Sequence, residues 1–199
     1  MARQRSDSRD KIVESARTLL RRQGYHGTGL AQVIEVSGAP RGSVYYLFPG
    51  GKEEIAVAAV AASRDSIPEL IGHARAVSPT VEQWLNTVAA HFADQLTTSQ
   101  FTEGCPITTT ALDAVPRSKA LTEACRTTYD AWLAAIAEGL TGHGVPGDVA
   151  PGLAATLLCC LEGALVLCRV QQSTEPLRQI VEQILVLVAH HTPAREPAG

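Results

Sequence analysis

The sequence lacks the common signatures of enzymes and of metal sites. It contains no glycine-rich phosphate loop, no Gly-x-Ser-x-Gly nucleophile motif and no His-Glu-x-x-His zinc motif. Its acidic residues are dispersed, and its histidines do not cluster apart from His190 and His191 near the C-terminal end. We therefore expect no catalytic residues, no cofactor and no bound metal, and we expect that the protein is not an enzyme.

Paired cysteines are also missing. The five cysteines form no Cys-x-x-Cys motif, their number is odd, and Cys159, Cys160 and Cys168 lie in one apolar run. This pattern disfavours a disulfide framework and a metal site, and it favours buried, reduced thiols in a cytoplasmic protein. The N-terminal residues are polar and charged, so we expect no secretory signal peptide.

No segment of useful length alternates between apolar and polar residues, as an exposed strand would. The apolar run 153–170 is long enough to cross a bilayer, but it contains Glu162 and Arg169, which favours a buried helix over a membrane span. Glycine and proline clusters divide the chain into segments with helical periodicity. We predict an all-α protein of about nine helices, at residues 8–23, 29–36, from 40, 52–66, 80–98, 106–113, 118–140, 148–172 and 176–191, after an unstructured arm over residues 1–8.

The net charge of −3 argues against a nucleic-acid-binding protein, but the charge is unevenly distributed. Residues 1–52 hold nine Lys and Arg against four Asp and Glu, a net charge of +5, and the remainder has eight against sixteen, a net charge of −8. A basic head on an acidic body is expected when one end of a protein meets phosphates. We therefore predict a DNA-binding domain at 1–52 and a second domain at 53–199.

Two short predicted helices, joined by a tight turn at Gly38, form a helix-turn-helix pattern within residues 27–48. The second helix of such a unit enters the major groove with its N-terminal residues towards the bases. Here Arg41 could form a bidentate contact with guanine, and Gly42 would let the backbone approach closely. Ser43 follows them in the same turn.

The rest of the second helix divides into inward and outward positions. Val44 and Phe48, four residues apart, are expected to pack against the preceding helix at Val33 and Ile34. The neighbouring Tyr45 and Tyr46 could reach phosphates or thymine methyl groups, or they could be core aromatic residues. Lys52 and the backbone N–H groups that begin the fourth helix would suit a phosphate.

The pattern Gly-x-x-x-Gly-x-Val-Tyr-Tyr-x-Phe, followed by Lys-Glu-Glu-Ile, resembles the TetR/AcrR family of transcriptional repressors. The run from Ser37 to Glu54 and the segment Gly104-Cys-Pro-Ile107 are similar to its LmrA/YxaF-like subgroup. The resemblance implies base contacts from Arg41 and Gly42. It also implies phosphate contacts from Thr28, Ser43, Tyr45, Tyr46 and Lys52.

Two positions depart from the pattern of that family. Leu47 stands where the family usually has a histidine that touches phosphate. The segment Pro49-Gly50-Gly51 makes the junction before Lys52 one residue longer. We therefore expect that the histidine contact is missing and that the reach of Lys52 is altered.

For the second domain, the resemblance implies a small-molecule site and a homodimer formed through the last two long helices. Each of these helices has an apolar face in the sequence, although both could instead pack inside one monomer. The residues of the two predicted faces are Leu153, Leu157, Leu161, Ala164, Leu165 and Cys168, and Ile180, Ile184, Leu187 and Val188.

Aromatic and polar residues at helical spacing are candidates for the ligand pocket, with ordinary core packing as the alternative for each. They are Trp84, His91, Phe92, Phe101, Cys105, Thr109, Tyr129, Trp132 and Glu162. A carboxylate amid leucines, as at Glu162, requires a partner, for which Arg126 or Arg169 could serve. The sequence thus predicts a soluble repressor that a small, mostly apolar effector releases from double-stranded operator DNA. The alternatives are a DNA-binding protein without an effector and a helical binding protein whose head does not read DNA.

Overall fold

The computed structural model describes residues 2–192, with side chains described from residue 7 onward. This part of the chain contains helices and no strands, which confirms the all-α prediction. The ten helices are α1 (Ala2–Gly27), α2 (Leu30–Ser37), α3 (Arg41–Leu47), α4 (Gly51–Ala62), α5 (Ser66–Val77), α6 (Val81–Thr98), α7 (Pro106–Ala114), α8 (Lys119–Gly142), α9 (Ala150–Gln171) and α10 (Glu175–His191).

Most of these helices match the predicted segments to within a few residues, with two differences. The arm expected over residues 1–8 is instead part of α1 from Ala2 onward, whereas Met1 lies outside the described residues. The helix α5 was not predicted, because proline is disfavoured inside a helix and Pro68 follows the predicted segment 52–66. In the structure α4 ends at Ala62, and Pro68 is the third residue of α5, where its missing N–H has no partner within the helix.

The chain forms two compact units. Unit 1 contains the described residues up to Ser66 together with Glu103–Tyr129. Unit 2 contains Ile67–Thr102 and the described residues from Asp130 onward. The helix-turn-helix segment therefore shares unit 1 with α4, α7 and the beginning of α8. The predicted division into domains at 1–52 and 53–199 stays a prediction.

The core of unit 1 is built around α1, which packs against α2, α3, α4 and α7. Ile12 and Leu20 of α1 are almost fully buried, as are Val44 and Phe48 of the α3 segment. Val33 of α2 is buried in the same cluster, and the partly buried Ile34 packs against it. The predicted inward packing of α3 is thereby confirmed.

In unit 2, α6, α9 and α10 pack against one another. The indole of Trp84 is fully buried and stacks on the imidazole of His143, with ring centroids 5.1 Å apart. Gly139 is needed beside it, because a Cβ atom there would lie 2.4 Å from Cζ2 of Trp84. The buried apolar faces of the three helices provide the hydrophobic stabilisation of this unit.

The predicted dimer faces on α9 and α10 require a correction. Nine of the ten residues assigned to them are buried or half-buried within the chain, because these faces pack inside unit 2. The tenth, Leu187, is 39% exposed. A different face of the same two helices is apolar and exposed, with Val166 54% exposed and Val186 64% exposed.

Of the helices in the described part of the chain, α9 alone has the length and composition to cross a membrane. It is also a packed helix: Leu153, Leu161 and Leu165 are each at least 90% buried within the chain. A core helix of this length meets the same criterion as a membrane span.

Candidate nucleic-acid interface

The helix α3 has one buried face and one exposed face. Val44 and Phe48, four residues apart, are each 1% exposed. Tyr45 is 53% exposed and Tyr46 is 68% exposed, so neither ring is a core aromatic residue. Because successive residues in a helix are separated by about 100°, burial of one face fixes the direction in which the tyrosines point.

The first turn of α3 places small and cationic groups at the surface. Arg41 and Gly42 are exposed, and Ser43 is half-buried. A Cβ atom on Gly42 would meet nothing within 4 Å, so packing inside this chain does not require glycine there. A side chain at this position would extend outward, into the space that a partner of α3 would occupy.

The turn before α3 is formed by Gly38 and Pro40. Gly38 has φ of 62°, in the left-handed region that favours glycine, and its N–H donates to the carbonyl of Glu35. The predicted helix begins at residue 40, whereas in the structure Pro40 is the N-cap residue and α3 begins at Arg41. The Oγ of Ser37 accepts a hydrogen bond from the N–H of Ala39 at 3.2 Å and thereby supports the turn.

The longer junction Pro49-Gly50-Gly51 forms a closed turn. The N–H of Gly51 donates to the carbonyl of Phe48 at 2.9 Å, and Gly51 has φ of 66°. The N–H of Gly50 donates to Oε2 of Glu54 at 2.8 Å, which occupies one donor at the beginning of α4. The longer junction is thus held by hydrogen bonds from the N–H groups of Gly50 and Gly51.

Lys52 lies against α1 rather than extending freely into solvent. Its side chain is half-buried, with Nζ 4.4 Å from the centroid of the Tyr25 ring, which is a cation–π distance. Burial lowers the pKa of the Lys52 ammonium, and the nearby Asp113 carboxylate opposes that change. Burial, followed by the charge of Glu53, raises the pKa of Tyr25.

Thr28 differs from the other predicted phosphate contacts. Its side chain is buried, and its hydroxyl donates to the carbonyl of Gly24 at 2.7 Å. Gly29, and not Thr28, occupies the N-cap position of α2. A phosphate contact from Thr28 stays a prediction, and the observed bonds favour a role in holding the turn between α1 and α2.

A group of polar contacts that could not be predicted from the sequence joins α7 to α1. The N–H of His26 donates to Oδ2 of Asp113 at 2.9 Å, and Nε2 of His26 lies 3.0 Å from the Asp113 carbonyl oxygen. The hydroxyl of Thr109 donates to the carbonyl of Leu20 at 2.8 Å. These pairs are more than eighty residues apart in the sequence, so no local motif could indicate them.

Glu103 partly neutralises the basic head. Its carboxylate oxygens lie 2.9 Å from Nη2 of Arg22 and 3.6 Å from Nη1 of Arg21. The charge of +5 counted over residues 1–52 therefore overstates the positive charge available to a phosphate backbone.

Six of the nine predicted pocket residues lie in unit 2, and they have different environments. Trp84 and Trp132 are buried, whereas His91 is exposed, with Nε2 2.9 Å from Nε2 of Gln95. The rings of His91 and Phe92 meet edge to face at 5.5 Å. The remaining two, Phe101 and Glu162, are half-buried.

The other three predicted pocket residues lie in unit 1. Cys105 caps α7, with its Sγ accepting from the N–H of Thr108 at 3.5 Å. The hydroxyl of Tyr129 lies 2.7 Å from that of Thr108, and Thr109 makes the bond to α1 described above. That the nine residues form one ligand site stays a prediction.

The two arginines suggested as partners of Glu162 contact other groups. Nη2 of Arg126 lies 2.6 Å from Oε1 of Glu123, and Nη2 of Arg169 donates to the carbonyl of Thr102 at 3.1 Å.

Unit 2 contains an apolar cavity of about 30 Å³ between α6, α9 and α10. It is far smaller than the pockets that hold drug-sized ligands, and none of the nine predicted residues lines it.

These observations describe an all-helical protein with a helix-turn-helix near its N-terminus, the arrangement of a DNA-binding regulator. Residues 12–59 match the model of the bacterial regulatory proteins of the tetR family. Residues 81–183 match the C-terminal domain of the LmrA/YxaF-like transcriptional regulators.

Comparison with individual proteins indicates the same family. The HTH-type transcriptional regulator YxaF of Bacillus subtilis is 34% identical, over 92% of this chain and 96% of its own length. LmrA of the same organism is 33% identical, over 87% of this chain and 93% of its own. A solved structure of the regulator CifR, complexed with 26 bp operator DNA, has a TM-score of 0.72 at 22% identity. That match covers 88% of this chain and 94% of that one.

The chain belongs to the TetR family of transcriptional regulators and to its LmrA/YxaF-like group, as the sequence motifs predicted. It is a DNA-binding transcriptional regulator. Its relatives and its fold are those of regulators, a class of proteins that are not enzymes.

Proposed function

We propose that this regulator is a cytoplasmic repressor that holds operator DNA through α3 and the beginning of α4. The observation that supports this most directly is the division of α3 into a buried apolar face and an exposed face with two tyrosines. The proposed base contacts come from Arg41 and Gly42. The proposed phosphate contacts come from Ser43, Tyr45, Tyr46 and Lys52.

Replacing Arg41 with alanine is expected to weaken operator binding by about 1–3 kcal/mol and to relax specificity at one base pair. The guanidinium is exposed at the first position of α3, where a bidentate contact with guanine would be lost. Gel-shift titrations against the operator and a scrambled duplex would measure both effects. Tyr45→Phe would separately test for a hydroxyl contact with phosphate.

Arg117→Ala provides the matched control, since Arg117 is also exposed in unit 1 but lies outside the helix-turn-helix. It should change binding little and equally for all duplexes. Equal losses in the two arginine variants would contradict the assignment of α3 as the base-reading helix. They would favour a head that does not read DNA sequence.

We infer further that two copies associate through the exposed face of α9 and α10. The exposed residues along α9 include Cys159, Gly163, Val166 and Val170, and none of its exposed residues is charged. An uncharged apolar surface of this kind is typical of an interface rather than of a surface in contact with water. A dimer would also present two heads to the two halves of a near-palindromic operator.

The effector is proposed to be a small, mostly apolar molecule that binds the body and lowers operator affinity. Such a ligand must bind the DNA-free state more tightly than the DNA-bound state, by a factor equal to its effect on DNA binding. The aromatic and apolar character of the predicted pocket residues supports this class of compound. Six of these residues lie in unit 2 and three in unit 1.

A broad library of apolar compounds is therefore expected to contain ligands that raise the melting temperature. At a free concentration about 100 times its Kd, a ligand should stabilise the protein by about 2.7 kcal/mol. Each hit would then be added to a preformed operator complex in a gel shift. A ligand that stabilises the protein without releasing DNA would contradict the effector mechanism, and an absence of hits would favour a repressor without an effector.

A further inference from the structure

We propose that Asp113 of α7 sets the affinity of the head for DNA by partly neutralising the charge of Lys52. This inference depends on the proposed function, because it takes Lys52 as a phosphate contact. Asp113 would be a positioning residue: it acts on DNA binding through Lys52 and does not itself touch DNA.

The Asp113 carboxylate is hydrogen-bonded to the C-terminal end of α1. Oδ2 of Asp113 accepts the N–H of His26 at 2.9 Å, and the carbonyl oxygen of Asp113 lies 3.0 Å from Nε2 of the same histidine. The fit is close, because a Cβ atom on Gly24 would lie 2.5 Å from Oδ2 of Asp113. Gly24 also has φ of 71°, so this position favours glycine on conformational grounds as well.

The Lys52 ammonium rests on the same short segment of α1. Nζ of Lys52 is 4.4 Å from the ring centroid of Tyr25, the residue between Gly24 and His26. Asp113 thus contacts the residues on both sides of Tyr25, while Lys52 lies over its ring. Burial lowers the pKa of Lys52, and the charge of Asp113 acts in the opposite direction, which agrees with this proximity.

Two consequences follow from this arrangement for a lysine that contacts phosphate. The contact with the ring of Tyr25 restricts the position of the ammonium. The negative charge of Asp113 weakens the attraction of the ammonium for a second anion. Asp113 belongs to α7, whereas Lys52 belongs to α4. Any change in the contact between α7 and α1 would therefore alter the strength of the phosphate contact.

Replacing Asp113 with asparagine should separate charge from structure. The asparagine side-chain oxygen can still accept the N–H of His26, but the negative charge beside Lys52 is lost. Operator affinity at low salt is then expected to rise about two- to fivefold, the range of an interaction between partly exposed opposite charges. The increase should be equal for operator and scrambled DNA, because phosphate contacts carry no sequence information.

The decisive experiment is a double-mutant cycle on the full-length chain. Operator Kd would be measured for wild type, Asp113→Asn, Lys52→Met and the double variant, at several salt concentrations. Thermal denaturation would check that each is folded, and Asp113→Ser is a second uncharged variant if asparagine is not tolerated. Asp65→Asn, at an exposed carboxylate of unit 1 that follows α4, controls for the change in net charge.

We expect Asp113→Asn to tighten binding in wild type and to have no effect when Lys52 is methionine. An equal increase in both backgrounds, or in Asp65→Asn, would overturn the inference and leave a general charge effect. Unchanged or weaker binding in both uncharged Asp113 variants would also overturn it. If Lys52→Met itself leaves DNA binding and its salt dependence unchanged, the proposed phosphate contact is wrong, and the inference is wrong with it.

Discussion

Replacing Val166 with glutamate is expected to convert the protein to a monomer and to lower its apparent operator affinity by about a hundred- to ten-thousand-fold. Val166 is 54% exposed, near the centre of the uncharged face of α9. A carboxylate buried there in two symmetry-related copies would be desolvated without a partner. Losing the dimer would remove the effective concentration that links the two heads, which accounts for the size of the effect on DNA binding.

Analytical ultracentrifugation would give the oligomeric state, and gel shifts on full operator and on single half-sites would give the affinities. The affinity for a half-site should change little, because Val166 is not in the head. Ala90→Glu adds the same charge to an exposed alanine of α6 and should leave both measurements unchanged. A dimeric Val166→Glu protein with wild-type affinity would exclude this face as the interface.

The helix-turn-helix could be predicted in detail because its signals are local. Gly38 takes a positive φ that glycine favours, and the spacing of Val44 and Phe48 defines the buried face of α3. The direction of Tyr45 and Tyr46 then follows from helical geometry. Each of these features depends on residues a few positions apart, so a single sequence contains all the information.

The faces of α9 could not be predicted in the same way. This helix has apolar residues on more than one side: Leu161 is buried, while Val166 and Val170 are exposed. A helix that is apolar nearly all round has no periodic signal that separates an internal contact from an external one. Only the packing partners α6 and α10 reveal which face remains exposed.

Contacts between distant segments were likewise hidden from the sequence. His26 and Asp113 are 87 residues apart, and nothing near either residue indicates the other. Their pairing depends on how α1 and α7 pack, a tertiary property that local propensities do not include.

Replacing Phe48 with alanine is expected to lower the free energy of unfolding by about 3–5 kcal/mol, the usual cost of deleting a buried aromatic ring. Phe48 is 1% exposed and belongs to the core cluster around α1, with the guanidinium carbon of Arg9 5.3 Å from its ring centroid. The seven residues of α3 are too few to form a stable isolated helix, so the loss of this anchor should also release α3 from its orientation. Urea denaturation would measure the stability, and a gel shift would measure operator binding.

Tyr45→Ala is the matched variant, because it removes an aromatic ring from the exposed face of α3, whereas Phe48 is the C-cap residue at the end of that helix. Its unfolding free energy should stay within about 0.5 kcal/mol of wild type, while operator affinity falls. The two variants would then both lose DNA binding for different physical reasons: one loses the support of α3, and the other loses a contact with DNA. Wild-type stability in Phe48→Ala would contradict the buried role of this ring. A large loss of stability in Tyr45→Ala would show that α3 is held from its outer face, and that the division of its residues into anchors and DNA contacts is wrong.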